Sequence, residues 1–562
     1  MVFRRGRIGV VAAALLLPLL GLPTAAVARP GDDSPAATKA KTTEVQLLAI
    51  NDFHGNLEPP FLRPTGDFIG GVEYLDTHLK EMKATNPNTL VVSAGDLIGA
   101  SPLLSGLFHD EPTIEAANLF GLDVNAVGNH EFDEGVDELL RMQNGGCHPV
   151  DGCQDGTPFE GADFEFLAAN VSYNDGSGTI FPPYAIKKFN GVKVGLIGMT
   201  LEGTPDIVSP SGIQDVSFAD EADTVNALVP VLKKKGVETI VVLVHEGGYP
   251  SAFDNTCPGI SGPIVDIVNR TSDEVDMFIT GHTHQAYNCV IDGRPVTSAY
   301  KYGGMVTDID MELSRATKEP VSISVDNVLV TRDVEPAAEQ TALIDHWSTF
   351  ADEVSNQVVG SITEDILRAT NAAGESPLGD RIADAQLWAT ADVQQAQIAF
   401  MNPGGIRADL IFDNQDATEA PGEVTFGEVF TVQPFQNTLV TMDLTGAQID
   451  TLLEQQFDNP EVGQSRILQV SDGFTYTWDA SAATGSKVDP ASIKLGDVAV
   501  DPAGTYRITV NSFLADGGDG FAVLTEGTNR FSGAVDSEVF ADYVGAVSPL
   551  TPGPQDRIAV TP

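Results

Sequence analysis

The chain has 562 residues, with 79 acidic against 31 basic side chains and a formal net charge of −48. That length exceeds one ordinary domain and predicts two large ones. That charge repels nucleic-acid polymers and anionic membranes, so an anionic small substrate is left only where a metal or an arginine reverses the local field.

Residues 1–28 read as a secretory signal: Arg4, Arg5 and Arg7 form its basic end, residues 10–22 its apolar run, and Ala26, Val27 and Ala28 its small-residue cleavage site. The run is broken by Pro18 and Pro23 and is short for a membrane span. The expectation is a secreted, extracellular protein that contacts no membrane after cleavage. Residues 29–43 are rich in Pro, Ala and Thr and are expected to be disordered. Export permits disulfides, and there are 4 cysteines. Of the three possible pairings, proximity favours Cys147 with Cys153 and Cys257 with Cys289, and the lack of a C-x-x-C pattern argues against a thiolate metal site.

From Glu44 onward, short β-rich runs alternate with helical patterns: VQLLAI, NTLVVSA, KVGLIGM, ETIVVLV, VDMFIT and VTSAYK. This predicts an α/β layered domain over 44–315. Residues 316–360 are expected to hold a linker strand and an interdomain helix, with Leu343, Trp347, Phe350, Val354 and Val358 on one face. A second α+β domain is expected over 361–545, followed by a tail, 546–562.

The polar residues just after the first-domain strands are the main signal. They are Asp52 and His54 in NDFHG, Asp96 in GD, Asn129, His130 and Asp133 in GNHEFD, His245, and His282 and His284 in GHTH. Five of the 9 histidines follow an apolar strand directly, and strand ends on one sheet edge converge on a crevice where ligands bind. Carboxylate, imidazole and amide without thiolate suit Zn²⁺, Mn²⁺, Fe²⁺ or Co²⁺ better than Ca²⁺. Seven candidate ligands (Asp52, His54, Asp96, Asn129, His245, His282 and His284) exceed the needs of one ion and match two, with Asp96 as the natural bridge. His130, oriented by Asp133, is then free to face developing charge on a phosphate. The remaining histidines, His78, His109, His148 and His346, are read as solvated or structural.

The series NDFHG…GD…GNHEFD…H…GHTH resembles the calcineurin-like metallophosphoesterases, and NDFHG with GNHEFD looks like their 5′-nucleotidase branch. The resemblance implies a four-layer α/β/β/α sandwich with a dinuclear centre, followed by a second, substrate-binding α+β domain. It assigns the seven residues above to two divalent ions, and His130 and Asp133 to a catalytic dyad. His284 stands where some members carry Gln or Asn.

In the second half, NPGGIR delivers Arg407 from a glycine turn with Asn402 nearby, a type of residue suited to bidentate phosphate binding. The resemblance extends to this region. It implies that Asn402 and Arg407 hold phosphate or nucleoside, that Phe435 and Phe513 sandwich the base, and that Asp519 takes the ribose hydroxyls, with Asn437 close by. NSFLADGGDGF, residues 511–521, lacks the register of a calcium-binding loop and is read as a turn that presents Phe513 and Asp519. Members often carry an arginine before the E-S motif where this chain has Gly374, which leaves Arg368 and Arg381 as substitutes.

The leading expectation is a secreted 5′-nucleotidase acting on nucleotides. The alternatives are a 2′,3′-cyclic-nucleotide phosphodiesterase, a UDP-sugar or NAD pyrophosphatase, or, from another class, a non-catalytic nucleotide- or metal-binding protein.

Overall fold

The computed structural model describes residues 41–59, 68–209, 212–252, 255–413, 419–460 and 462–561. The expected signal segment, 1–28, and most of the segment 29–43 lie outside the described residues. The first strand, Thr42–Ile50, starts two residues ahead of Glu44.

Two six-stranded sheets make the first domain. The first runs in the order Pro320–Leu329, Met305–Ser314, Thr42–Ile50, Thr89–Ser93, Val124–Ala126, Glu165–Leu167. The second runs Ala286–Ile291, Arg294–Ala299, Met277–Thr280, Thr239–His245, Val192–Thr200, Tyr184–Phe189. Strand alternation explains the layering. Val45, Leu47 and Ala49 point one way and share a core with Leu196, Leu243 and Ile279 of the other sheet. Leu48 and Ile50 point the other way, into a core with Leu75, Leu79 and Ile114 from helices. On the far side, Ile197, Val242 and Phe278 pack on Val225, Leu232, Ile264 and Val268 from two further helices. The result is an α/β/β/α sandwich.

Parallel pairing brings the carboxyl ends of the strands into line. Ile50 lies beside Ser93 and Ser93 beside Asn125 in one sheet, while Thr200 lies beside His245 and Val244 beside Thr280 in the other. The first-domain motifs NDFHG, GD, GNHEFD and GHTH, with His245, therefore emerge at these strand ends. Cys147 and Cys153 are joined, as are Cys257 and Cys289, with Cα atoms 4.6 and 5.0 Å apart.

The linker region differs from expectation in three ways. Residues 320–329 are the edge strand of the first sheet, paired antiparallel with Met305–Ser314, so the first domain does not stop at 315. In the helix Ala338–Ser355, Leu343 and Trp347 pack on the first core, but Phe350 and Val354 are exposed because the stripe runs on past the core it faces. Val358 has left the helix for the strand Val358–Ser361, paired with Glu423–Thr425.

The second domain is built on a five-stranded sheet in the order Gln469–Val470, Ile398–Met401, Thr505–Asn511, Thr438–Thr445, Thr528–Val535. The expected tail belongs to it. Ile558–Thr561 pairs in parallel with Phe474–Asp479, and buried Arg557 bonds to the Asp384 carboxylate at 2.7 and 2.9 Å. A buried guanidinium with a bidentate partner anchors a segment firmly, whatever its composition.

Candidate active site

The seven candidate ligands converge in two groups. Asp52, His54 and His284 offer ligand atoms within 4.8 Å of one another, and so do Asp96, His245 and His282. Asp96 Oδ2 stands between the groups, 2.8 Å from His245 Nε2 and 3.6 Å from His54 Nε2. Asn129 Oδ1 lies 3.0 Å from His282 Nδ1.

The local backbone is bent to achieve this. Asp52, His54, Asp96, His282 and His284 all take left-handed backbone, with φ between 48° and 70°. Non-glycine residues rarely do so, and such strain collects at ligand clamps. Gly128 leaves the room needed: a Cβ there would stand 2.2 Å from Asp96 Oδ1. Glu131, inside GNHEFD, fastens the turn. Its buried carboxylate accepts from the backbone N–H groups of Asp96 at 3.0 Å and Leu97 at 2.9 Å, and from Asn125 Nδ2 at 3.1 Å. Burial, reinforced by Asp96, pushes the Glu131 carboxyl up to about 7.

The donor set fits metal ions. His54 Nδ1–H donates to the Gly99 carbonyl and His245 Nδ1–H to the Ala94 carbonyl, each at 2.8 Å. His54 therefore turns an unprotonated Nε2 to the centre, and His245 turns its Nε2 to the Asp96 carboxylate, which is how metal-bound histidines are usually oriented. His54 Nε2 faces His284 Nε2 at 3.2 Å, a contact between two ring nitrogens that a shared cation would relieve. His245 Nε2 is buried against the Asp96 carboxylate. Burial would raise the Asp96 carboxyl, but His245 and His130 outweigh it and hold it well below the usual range. Burial drives His54 well below the ordinary imidazole value and His282 to about 3.

His130 stands beside this cluster. Its Nδ1 lies 2.9 Å from Asp133 Oδ2, and its backbone N–H donates to Asp96 Oδ1 at 2.9 Å. Burial would lower its pKa, but Asp133 and Asp96 raise it above the ordinary value. It is a charged or proton-donating group at the edge of the centre.

A cavity of about 530 Å³ opens over Asp96, His130, His282 and His284 and is rimmed by Lys301, Arg368 and Arg407. These cations reverse the field that the acidic chain otherwise sets up. Arg407 Nε is buried with no hydrogen-bond partner among the described residues. Of the two candidate substitute arginines, Arg368 faces this cavity, while Arg381 is occupied by Asp384, Thr551 and Pro552.

A second cavity, about 360 Å³, joins His130, Asp133 and Arg407 to Phe435, Asn437, Phe513 and Asp519. Asn402 Nδ2 donates to Asp519 Oδ2 at 2.8 Å, and Arg466 reaches Asp519 Oδ1 at 2.9 Å. Asn437 Oδ1 accepts from Ser512 Oγ at 2.9 Å, which ties it to the turn carrying Phe513. Phe435 is not simply a partner for Phe513, because its ring lies against the His130 ring. Lys301 closes the run VTSAYK, at a strand end like the other site residues, whereas Arg466 sits in a stretch with no motif around it.

A calcineurin-like phosphoesterase model matches residues 45–286, and a 5′-nucleotidase C-terminal domain model matches residues 358–526. The chain is 33% identical to the cell wall protein Lmo0130 of Listeria monocytogenes, over 93% of this chain and 69% of that one. The chain belongs to the 5′-nucleotidase family. A crystal structure of a 5′-nucleotidase precursor from Thermus thermophilus superposes with a TM-score of 0.77 at 29% identity, covering 92% of this chain and 99% of that one. The endonuclease YhcR of Bacillus subtilis is 34% identical over 89% of this chain, which spans only 39% of its length. Members of the 5′-nucleotidase family are metal-dependent phosphoester hydrolases, and the buried carboxylate–imidazole cluster described above suits that chemistry.

Proposed function

We propose that the protein hydrolyses the phosphomonoester of nucleotides to nucleoside and phosphate. The observation that carries this is the 360 Å³ cavity, which runs from the His130/Asp133 dyad to two phenylalanines and a held aspartate. A phosphate at one end and a base at the other match its lining.

Asp52, His54, Asp96, Asn129, His245, His282 and His284 would hold two divalent ions of the Zn, Mn, Fe or Co type. Such a pair supplies charge neutralisation at phosphate oxygens and acidifies water. The chain's own groups do the rest. Arg407 and Arg368 orient the phosphate by charge-assisted hydrogen bonds. His130, held by Asp133, stabilises negative charge at the phosphate or supplies a proton to the leaving oxygen. Phe513 offers a face to the base, a contact that tolerates any base. Asp519, fixed by Asn402 and Arg466, offers acceptors to the ribose hydroxyls. Because Phe435 and Arg407 from the second domain lie over the dyad, product release requires the domains to part. Trp347 and Gln340 seat the helix Ala338–Ser355 in the first domain and Val358–Ser361 pairs within the second, so residues 356–357 between them are the hinge candidate.

Two disulfides fit an extracytoplasmic location. Among the described residues, no helix is long and apolar enough to cross a membrane.

A turnover panel of AMP, ADP, ATP, UDP-glucose, NAD and 2′,3′-cyclic AMP, with Mn²⁺ or Zn²⁺ and then EDTA and with products separated by chromatography because opening a cyclic diester or a pyrophosphate liberates no free phosphate, tests the reading. AMP turnover that EDTA abolishes supports it. Preference for the cyclic or pyrophosphate substrates moves the assignment to those phosphodiester activities. Binding of AMP without turnover of any phosphoester makes the protein a binding module.

A further inference from the structure

A second cluster of metal-type ligands lies apart from the seven residues above. His109, Glu134, Glu138 and His148 each offer one ligand atom, and these four atoms lie within 4.8 Å of one another. They come from four separate segments. His109 sits in left-handed backbone just before the helix Glu111–Phe120, with φ of 54°. Glu134 follows the dyad aspartate, Glu138 lies on the helix Val136–Asn144, and His148 is in the loop closed by Cys147 and Cys153.

Each segment is anchored. Arg141, itself buried, grips both Glu138 oxygens through Nε at 2.9 Å and also donates to the Gly146 carbonyl at 2.7 Å. The His109 and His148 rings stack with centroids 3.8 Å apart and planes at 19°. His109 Nδ1 faces Glu134 Oε2 at 2.7 Å, while its Nε2 faces Asp151 Oδ2 at 2.9 Å. Asp151 also reaches His148 Nδ1, through its carboxylate at 3.2 Å and its backbone N–H at 3.1 Å. A histidine with a ligand-type carboxylate on one nitrogen and an outer carboxylate on the other has the arrangement found around bound metal.

We propose that His109, Glu134, Glu138 and His148 form a separate binding site for a divalent transition ion of the Zn²⁺ class. Two imidazole nitrogens and two carboxylate oxygens supply four protein ligands, and a set that leaves no open position suits a structural rather than a catalytic ion. The ion would tie the disulfide loop to the turn that carries Asp133. A cavity of about 270 Å³ lined by His109, Glu134 and Glu138 also touches His130, Asp133 and Phe435, so the site adjoins the dyad without sharing its ligands.

The test is zinc uptake by metal-stripped full-length protein, measured against a chromophoric chelator. The double variant His109→Ala/His148→Ala should take up one ion fewer per chain than wild type. Asp96→Asn should lose ions at the first centre and keep this one, so failure of the first reading and failure of this one are separable. Equal uptake by wild type and the double variant overturns the proposal. A second measurement needs no variant: crystals of the wild-type protein grown with Zn²⁺, recorded at the zinc absorption edge, should show an anomalous peak among the four side chains. Peaks at Asp52–His284 with none here would also overturn it.

Discussion

The ring of Phe435 lies against the ring of His130, with centroids 5.6 Å apart and planes at 20°, and the Arg407 guanidinium sits 5.8 Å over the other partner, Phe435. A residue expected to touch only the base therefore also supports the dyad. Phe435→Ala should lower kcat on p-nitrophenyl phosphate, which has no base, as well as on AMP. Steady-state kinetics on both substrates check this, and an effect confined to AMP returns Phe435 to the base clamp alone.

Phe513 behaves differently, since it touches the cavity but not the dyad. Phe513→Ala should raise KM for AMP, by an amount equivalent to about 1–3 kcal/mol of stacking, and leave p-nitrophenyl phosphate nearly unchanged. Gly518→Ala should do the same indirectly, because a Cβ there would meet the Phe513 ring at 2.5 Å and displace it. Unchanged AMP kinetics in Gly518→Ala would mean that the ring position does not matter.

Asp96 and His130 are joined by one hydrogen bond, yet their losses should differ. Asp96→Ala removes the carboxylate that stands between the two ligand groups, and metal content should fall. His130→Ala should keep metal and lower kcat by about 10²–10⁴-fold, the usual scale for a general acid or base. Metal analysis beside kinetics separates the two, and an emptied site in His130→Ala would refute the division.

Arg368 and Arg381 offer a similar contrast. Arg368→Ala should raise KM for every phosphomonoester, including p-nitrophenyl phosphate, because Arg368 rims the phosphate end of the larger cavity. Arg381→Ala should instead lower Tm, since Arg381 binds the segment at Thr551 and Pro552. Kinetics and thermal melts on both variants decide it.

Burial pushes the Asp536 carboxyl up to about 8, against about 3.9 in an unfolded chain. Between those values the folded protein holds a proton that the unfolded chain has lost, so this group's stabilisation is complete below the window and is lost as pH rises through it. Asp536→Asn removes the proton and keeps the shape. Between about pH 5 and 8.5, the Tm of wild type should fall relative to Asp536→Asn. Parallel melting curves across that range would count against it.

Much of the first domain was legible because its signals are local. Each strand is a short apolar run, and each site residue follows within a few positions, so period and punctuation together located Asp52, Asp96, His245 and His282. The linker was harder. Leu343, Trp347, Phe350 and Val354 share one helical stripe, but only the neighbouring core decides how much of a stripe is covered, and here it covers the first half. The tail follows the same rule: its composition says nothing of Arg557, whose partner Asp384 lies 173 residues away.

By itself the sequence determined which side chains emerge at strand ends, the α/β layering, and the chemistry of the candidate ligand set. These follow from periodicity and residue type, which are properties of adjacent positions. The tertiary structure alone decided that Arg368 rather than Arg381 faces the cavity, that Arg466 holds Asp519, that Phe435 lies on His130, and that His109 meets His148. Each of these is a distance between segments far apart in the chain, set by how sheets, helices and domains pack, and no local pattern encodes it.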